Sequence, residues 1–146
     1  MSASPVRSAT VTLPPDVSSA GAARRFVTAT LAGWRLDHLV DDAVLLTSEL
    51  VTNGLLHART QLEVVVSADA GEIRIEVRDA SLVPVTIRNF SVESGTGRGL
   101  RLIGRMADAW GVDPGPAGKS VWFTLPLAGR PESSYDFEGF DAVEAL

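Results

Sequence analysis

The sequence predicts a two-layer α/β sandwich, and three observations support that fold class. The segments follow the order strand, helix, helix, two strands, loop, helix, two strands. Residues 72–79 alternate apolar and polar side chains, which is typical of a strand with one buried face. The chain has 146 residues, of which 45% are hydrophobic and 21% charged, as expected for a globular domain with one core.

Prolines and capping residues delimit the first strand and the first helix. Residues 8–13 alternate in part and end at two prolines, so they predict a short strand. Asp16 or Ser18 can cap a helix that runs to about residue 32. Gly33 follows as a stop signal.

A second helix and a hairpin come next. Asp37 is the following N-cap candidate, and residues 37–58 have helical spacing throughout. Residues 61–68 form a β-rich run, residues 70–71 a turn, and residues 72–79 the alternating strand.

The last part of the chain begins with an irregular segment. Residues 80–98 show no sustained period, and a segment of this length inside a compact domain usually serves function. Residues 99–109 return to helical spacing. Residues 110–112 predict a brief strand and residues 119–127 a final one.

The charge distribution and the residue types exclude several classes of function. The last 16 residues hold five acids and no base, while the first 130 residues carry 13 acids and 13 bases. A neutral body with an acidic tail lacks the basic footprint of a nucleic-acid-binding protein. The chain has no cysteine and two histidines, so we expect neither disulfides nor a thiolate or histidine-rich metal site.

Hydropathy predicts a soluble, cytoplasmic protein. No segment approaches the roughly 20 apolar residues of a membrane helix, and residues 1–12 lack the pattern of a signal peptide. We expect one domain over residues 1–128 and an acidic, flexible tail over residues 129–146.

A polar stripe runs along the second predicted helix. Glu49, Asn53 and His57 are spaced four residues apart and share one side, with Asp42 near the same line. Apolar residues cover most of the remaining surface, and a buried carboxylate or amide needs partners. The stripe is either an exposed or internally bonded edge, or the lining of a cleft whose oxygens face a hard cation such as Mg²⁺.

Residues 49–58, with the sequence ELVTNGLLHA, resemble the N box of the anti-sigma-factor serine/threonine kinases of the GHKL ATPase superfamily. The resemblance implies that Asn53 is a Mg²⁺ ligand. It also implies that Glu49 is the general base that accepts the hydroxyl proton of a protein substrate. His57 matches a position that often carries histidine, and we assign it no role.

Further segments resemble the nucleotide-binding boxes of the same family. Asp79 and Ser81 stand where the family has Asp-x-Gly, whose Asp binds the adenine amino group, so Ser81 is a departure from the pattern. Ser120 takes a position in the last strand that usually carries a hydroxyl. Residues 95–100 resemble the glycine box that ends the ATP lid, where backbone amides favour phosphate. The resemblance implies nucleotide contacts by Gly95, Gly97, Arg98, Gly99 and Leu100.

Two other nucleotide-binding patterns do not fit. A dinucleotide fingerprint needs strand, glycines and helix in close succession, whereas about 16 irregular residues separate the strand from the glycines here. A P-loop ending at Lys119 needs glycine where Asp113 stands, and a helix where a β-rich run follows.

Together the boxes cover residues 37–127 in the family's order. The resemblance implies a Bergerat-type α+β fold with a mixed, mostly antiparallel sheet, helices on one face, and ATP and Mg²⁺ as cofactors. It also implies a sigma factor and an anti-anti-sigma (STAS-type) protein as partners, and a homodimer through the first strand and helix. A non-catalytic, ATP-dependent protein-binding module is the alternative. The catalytic half of a histidine kinase is less consistent, because neither histidine has the context of a phosphoacceptor helix.

Overall fold

The structure is a computed structural model that describes residues 6–69, 71–81 and 99–129. The elements are β1 (Arg7–Leu13), α1 (Ser18–Gly33), a 3₁₀ helix (Asp37–Leu39), α2 (Val40–His57), β2 (Leu62–Ala68), β3 (Glu72–Asp79), α3 (Gly99–Met106), β4 (Ala109–Gly115) and β5 (Gly118–Pro126). Their order confirms the predicted order of strands and helices. None of the helices within the described residues has the length and apolar character needed to cross a membrane.

The five described strands form one sheet in the order β1-β2-β3-β5-β4, and each neighbouring pair is antiparallel. The three α-helices contribute to a single core on one face of this sheet. The predicted two-layer α+β sandwich is therefore confirmed.

The hydrophobic core lies between the sheet and the helices. On β3, Ile73, Ile75 and Val77 are buried, and the residues between them face the opposite side, as the two-residue period of a strand requires. The helices contribute the buried residues Val27, Leu31, Leu46, Val51, Ile103 and Met106. Burying a side chain of this kind contributes about 1.5–3 kcal/mol, so packing determines how the helices lie on the sheet.

The Asp16 carboxylate bonds to Ser18 in the turn just before the first helix, whose N-cap residue is Val17. The Asp16 carboxylate accepts a hydrogen bond from the backbone N–H of Ser18 at 2.8 Å. It also accepts from the Ser18 hydroxyl. These two bonds, the hydroxyl first, lower the pKa of Asp16. Neither predicted capping residue is the N-cap of α1: that position is Val17, which makes no side-chain cap, because Asp16 lies one residue too early and Ser18 is already the first helical residue.

Two predicted boundaries are wrong for reasons of tertiary pairing and local geometry. The helix predicted over residues 99–109 ends at Met106, because the chain is already paired with β5. The N–H of Asp108 donates to the Thr124 carbonyl at 2.8 Å, and β4 extends over seven residues. Asp37 lies inside the 3₁₀ turn and makes no side-chain cap, so α2 begins only at Val40.

The start of β5 passes directly against the end of β3. Gly118 has a φ of +147°, and a Cβ at this position would lie 1.9 Å from the carbonyl oxygen of Asp79. Only glycine permits this approach, because no side chain fits between the two strands here. The approach places Lys119 opposite Asp79 in the antiparallel register.

Replacing Gly118 with alanine should lower the free energy of unfolding by more than about 2 kcal/mol, since a strained φ is combined with a steric clash. Equilibrium urea denaturation measures this difference. Gly33→Ala is the matched control: an added Cβ there meets nothing within 4 Å, so the change should stay within about 1 kcal/mol. Similar losses in both variants would contradict the close approach.

Candidate functional site

Two residues of the polar stripe on α2, Asn53 and Glu49, have buried polar atoms without partners among the described residues. Asn53 is 0% exposed, and neither atom of its amide has a hydrogen-bond partner among the described residues. Glu49 is half-buried, and its Oε1 atom is buried without a partner among the described residues. Across the described ranges, six buried side-chain atoms lack a partner, and three of them belong to these two residues. Asn53 is thus not part of an exposed edge, and the Asn53 amide and Glu49 Oε1 are not bonded to each other.

Unsatisfied atoms of this kind are costly. A buried donor or acceptor without a partner costs about 1–3 kcal/mol, because it has lost its hydrogen bonds to water. Mg²⁺ prefers oxygen ligands. A single amide oxygen from the protein is enough when phosphate oxygens and water molecules complete the coordination shell. The amide oxygen of Asn53 and the carboxylate of Glu49 therefore fit a site completed by a metal and phosphates.

The C-terminal half of α2 lies over the end of the sheet that carries Asp79. A Cβ added to Gly54, next to Asn53, would lie 3.3 Å from the Leu62 side chain. Leu62 is the register partner of Asp79 on β3. Asp79 follows Ile75 and Val77 on the face toward the helices, so the structure places Asp79 and Asn53 on the same side of the sheet.

A buried ion pair holds the Asp79 carboxylate. The Lys119 ammonium lies 3.1 Å from Asp79 Oδ1, and the two side chains are 8% and 7% exposed. The backbone N–H of Ser81 donates to the same oxygen at 2.8 Å. The backbone N–H of Ala80, between Asp79 and Ser81, donates to the Thr60 hydroxyl at 3.0 Å. The carboxylate therefore has a fixed orientation.

Ser120 lies on the opposite face of the sheet. Its hydroxyl donates to Glu76 Oε1 at 3.0 Å, and Glu76 also pairs with Arg74 and Arg78. Burial raises the pKa of Glu76, but the Ser120 hydrogen bond and the two arginine charges together bring it below its ordinary value. The structure thus brings Glu49, Asn53 and Asp79 to one side and separates Ser120 from them.

The remaining predicted contacts cannot be placed with side chains. Gly95, Gly97 and Arg98 lie outside the described residues. Gly99 and Leu100 begin α3, and the side chains of this first turn, like that of His57, are also outside the description. Their roles stay predictions from the resemblance.

Sequence reasoning missed Lys119. It is the chain's single lysine, which was treated as part of a failed P-loop pattern. Its role as the partner of Asp79 depends on pairing between residues 40 positions apart. The alternation of β5 was the available signal, because it places residues 119, 121 and 123 on one face.

The family comparison agrees with this geometry. A model of the histidine kinase-like ATPase domain matches residues 13–125, which is more than half of the chain. The chain therefore belongs to the histidine kinase-like ATPase domain family. Domains of this kind bind ATP, usually with Mg²⁺. No curated protein gives a significant match to the chain.

Replacing Asn53 with leucine should raise the free energy of unfolding of the nucleotide-free protein by about 1 kcal/mol or more, because two unsatisfied buried atoms are removed. The same variant should lose the increase in melting temperature that Mg²⁺ and ATP give the parent protein.

Thr47→Val is the control, since Thr47 is also buried on α2 and its hydroxyl has no partner among the described residues. The Thr47→Val variant should keep the increase in melting temperature that Mg²⁺ and ATP give the parent protein. A destabilised Asn53→Leu protein would mean that the amide is bonded within the fold.

Proposed function

We propose that the protein is an ATP-dependent regulator that phosphorylates a serine or threonine of an anti-anti-sigma partner and sequesters a sigma factor. The family membership supports ATP binding. The kinase activity and both partners rest on the resemblance of residues 49–58 and of the later boxes to the anti-sigma kinases.

The observation that carries the proposal is the unsatisfied pair on α2. Asn53 and Glu49 are separated by one helical turn and both present buried oxygens without partners among the described residues. A binding domain needs the metal ligand, whereas a carboxylate one turn away, with a free oxygen, is what a phosphoryl-transfer enzyme needs as a base.

The transfer assigns one task to each residue. Asn53 holds Mg²⁺, which supplies charge stabilisation at the phosphates when bound. The substrate hydroxyl oxygen bonds to the γ-phosphorus as the bond to ADP breaks. Glu49 accepts the hydroxyl proton through Oε1, and Asp79 orients the nucleotide by accepting from the adenine amino group.

A non-catalytic module is the second candidate. Ser81 replaces the glycine of the adenine-binding motif, and its backbone N–H is tied to Asp79. In this function ATP orders a surface that binds a partner, and no phosphoryl group is transferred.

ATP binding is tested by calorimetric titration with and without Mg²⁺. The parent protein should bind ATP more tightly with Mg²⁺, and the Asn53→Ala variant should lose that dependence on Mg²⁺.

The contact between Asp79 and the base needs a different probe. Asp79→Asn is unsuitable, because leaving Lys119 buried and unpaired costs about 3–5 kcal/mol of stability. The nucleotide is altered instead: purine riboside triphosphate, which lacks the amino group, should bind roughly 10-fold or more weakly than ATP, as for a lost charged hydrogen bond. Equal affinity would remove Asp79 from base recognition.

Glu49→Gln should slow phosphorylation of a STAS-type protein by about 100-fold or more, the usual effect of losing a general base, with ATP affinity unchanged. The measurement is ³²P transfer from ATP to a panel of purified STAS-type proteins. Glu63→Gln is the control, since Glu63 pairs with Arg78 on the opposite face. A normal rate in Glu49→Gln would exclude the base role, and ATP-dependent partner binding without transfer in the parent protein would establish the second candidate.

A further inference from the structure

Lys119 has an environment that stability does not explain. It is the only lysine in the chain, and its side chain is 8% exposed beside Asp79. Lysine is almost never buried without a partner. A buried ion pair, however, adds little net stability compared with two apolar side chains of similar size. The pair therefore needs a reason besides folding.

In the Asp79–Lys119 pair, a carboxylate oxygen that can accept a hydrogen bond lies beside ammonium N–H groups that can donate one. Both described contacts to the Asp79 carboxylate go to Oδ1, one from Lys119 and one from the Ser81 N–H, and Oδ2 makes neither. The lysine ammonium has three N–H donors, and its contact with Asp79 uses one of them. Within the described part of the chain, no contact occupies Oδ2 or the two further N–H groups.

The pair lies on the side of the sheet that faces the helices. Leu62, the register partner of Asp79, lies 3.3 Å from the position of a Cβ added to Gly54, which is next to Asn53. The space of about 510 Å³ at the end of the sheet is lined by Glu63, Glu76, Arg78 and Ser120, so it opens on the other face and is not the place of a base bound beside Asn53. The close approach of Gly118 to the Asp79 backbone leaves no side chain between the two strands at this point.

We infer that Lys119 and Asp79 together read the nucleobase: Asp79 Oδ2 accepts from the exocyclic amino group, and the Lys119 ammonium donates to the adjacent ring nitrogen. In adenine these are the 6-amino group and N1, a donor beside an acceptor, which matches the acceptor and donor of the pair. The inference rests on the proposed ATP site and adds Lys119 to it as a specificity-determining residue.

The first test is a binding cycle. ATP and 1-deaza-ATP, in which a C–H replaces N1, are titrated against the parent protein and against Lys119→Met. The parent should bind ATP about 10-fold or more tightly than 1-deaza-ATP, since a charged hydrogen bond is lost. Lys119→Met should bind the two nucleotides equally. An equal preference in both proteins would overturn the inference and leave Lys119 as a counter-ion of Asp79.

The second test needs no substitution, so it remains decisive if Lys119→Met does not fold. Lysine-selective ¹³C,¹⁵N labelling gives a single ε-ammonium signal, because the chain has one lysine. ATP with Mg²⁺ should shift this signal and slow the exchange of its protons more than 1-deaza-ATP does.

Identical spectra with the two nucleotides would overturn the inference while leaving ATP binding established. Failure of the parent protein to bind either nucleotide would overturn both the inference and the proposed ATP site.

Discussion

The close approach of β5 to the end of β3 fixes the site. Gly118 lies so near the Asp79 carbonyl that the register of the two strands allows no side chain there. Because side chains alternate along a strand, this register sends Lys119 toward the helices and Ser120 to the opposite face. A shift of one residue would exchange them, leaving Asp79 without its cation and Glu76 without its hydroxyl.

Helix α2 shows the opposite arrangement, since Asn53 and Glu49 have buried polar atoms without partners among the described residues. Asn53 is fully buried, and leucine at its position would be more favourable for folding. Sites that must bind charge commonly sacrifice stability in this way. On the other face of the sheet, Glu76 is fully engaged by Ser120 and two arginines. Trp122 Nε1 and Thr124 Oγ1 on that face also lack partners among the described residues. What distinguishes α2 is that an amide and a carboxylate without partners lie one helical turn apart.

Local patterns predicted what local forces determine. The alternation over residues 72–79 matches β3 residue for residue, and the four-residue spacing of Glu49 and Asn53 placed them on one buried line. Contacts between distant segments were not predictable. The end of α3 depends on the capture of Asp108 by Thr124, and the face of Ser120 depends on the β3–β5 register. The ion pair of Lys119 was not predicted, because its partner Asp79 lies 40 residues away in the sequence.

The burial of Lys119 gives the chain an unusual chemical property. Every other basic side chain is arginine or histidine, so the chain has a single ε-amine, and its side chain is 8% exposed. A reagent that acylates ε-amines therefore reacts with Lys119 slowly, and the rate of modification reports how well the packing around Asp79 and Lys119 shields that nitrogen. The chain thus carries its own kinetic reporter beside Asp79, readable by mass spectrometry without adding a label.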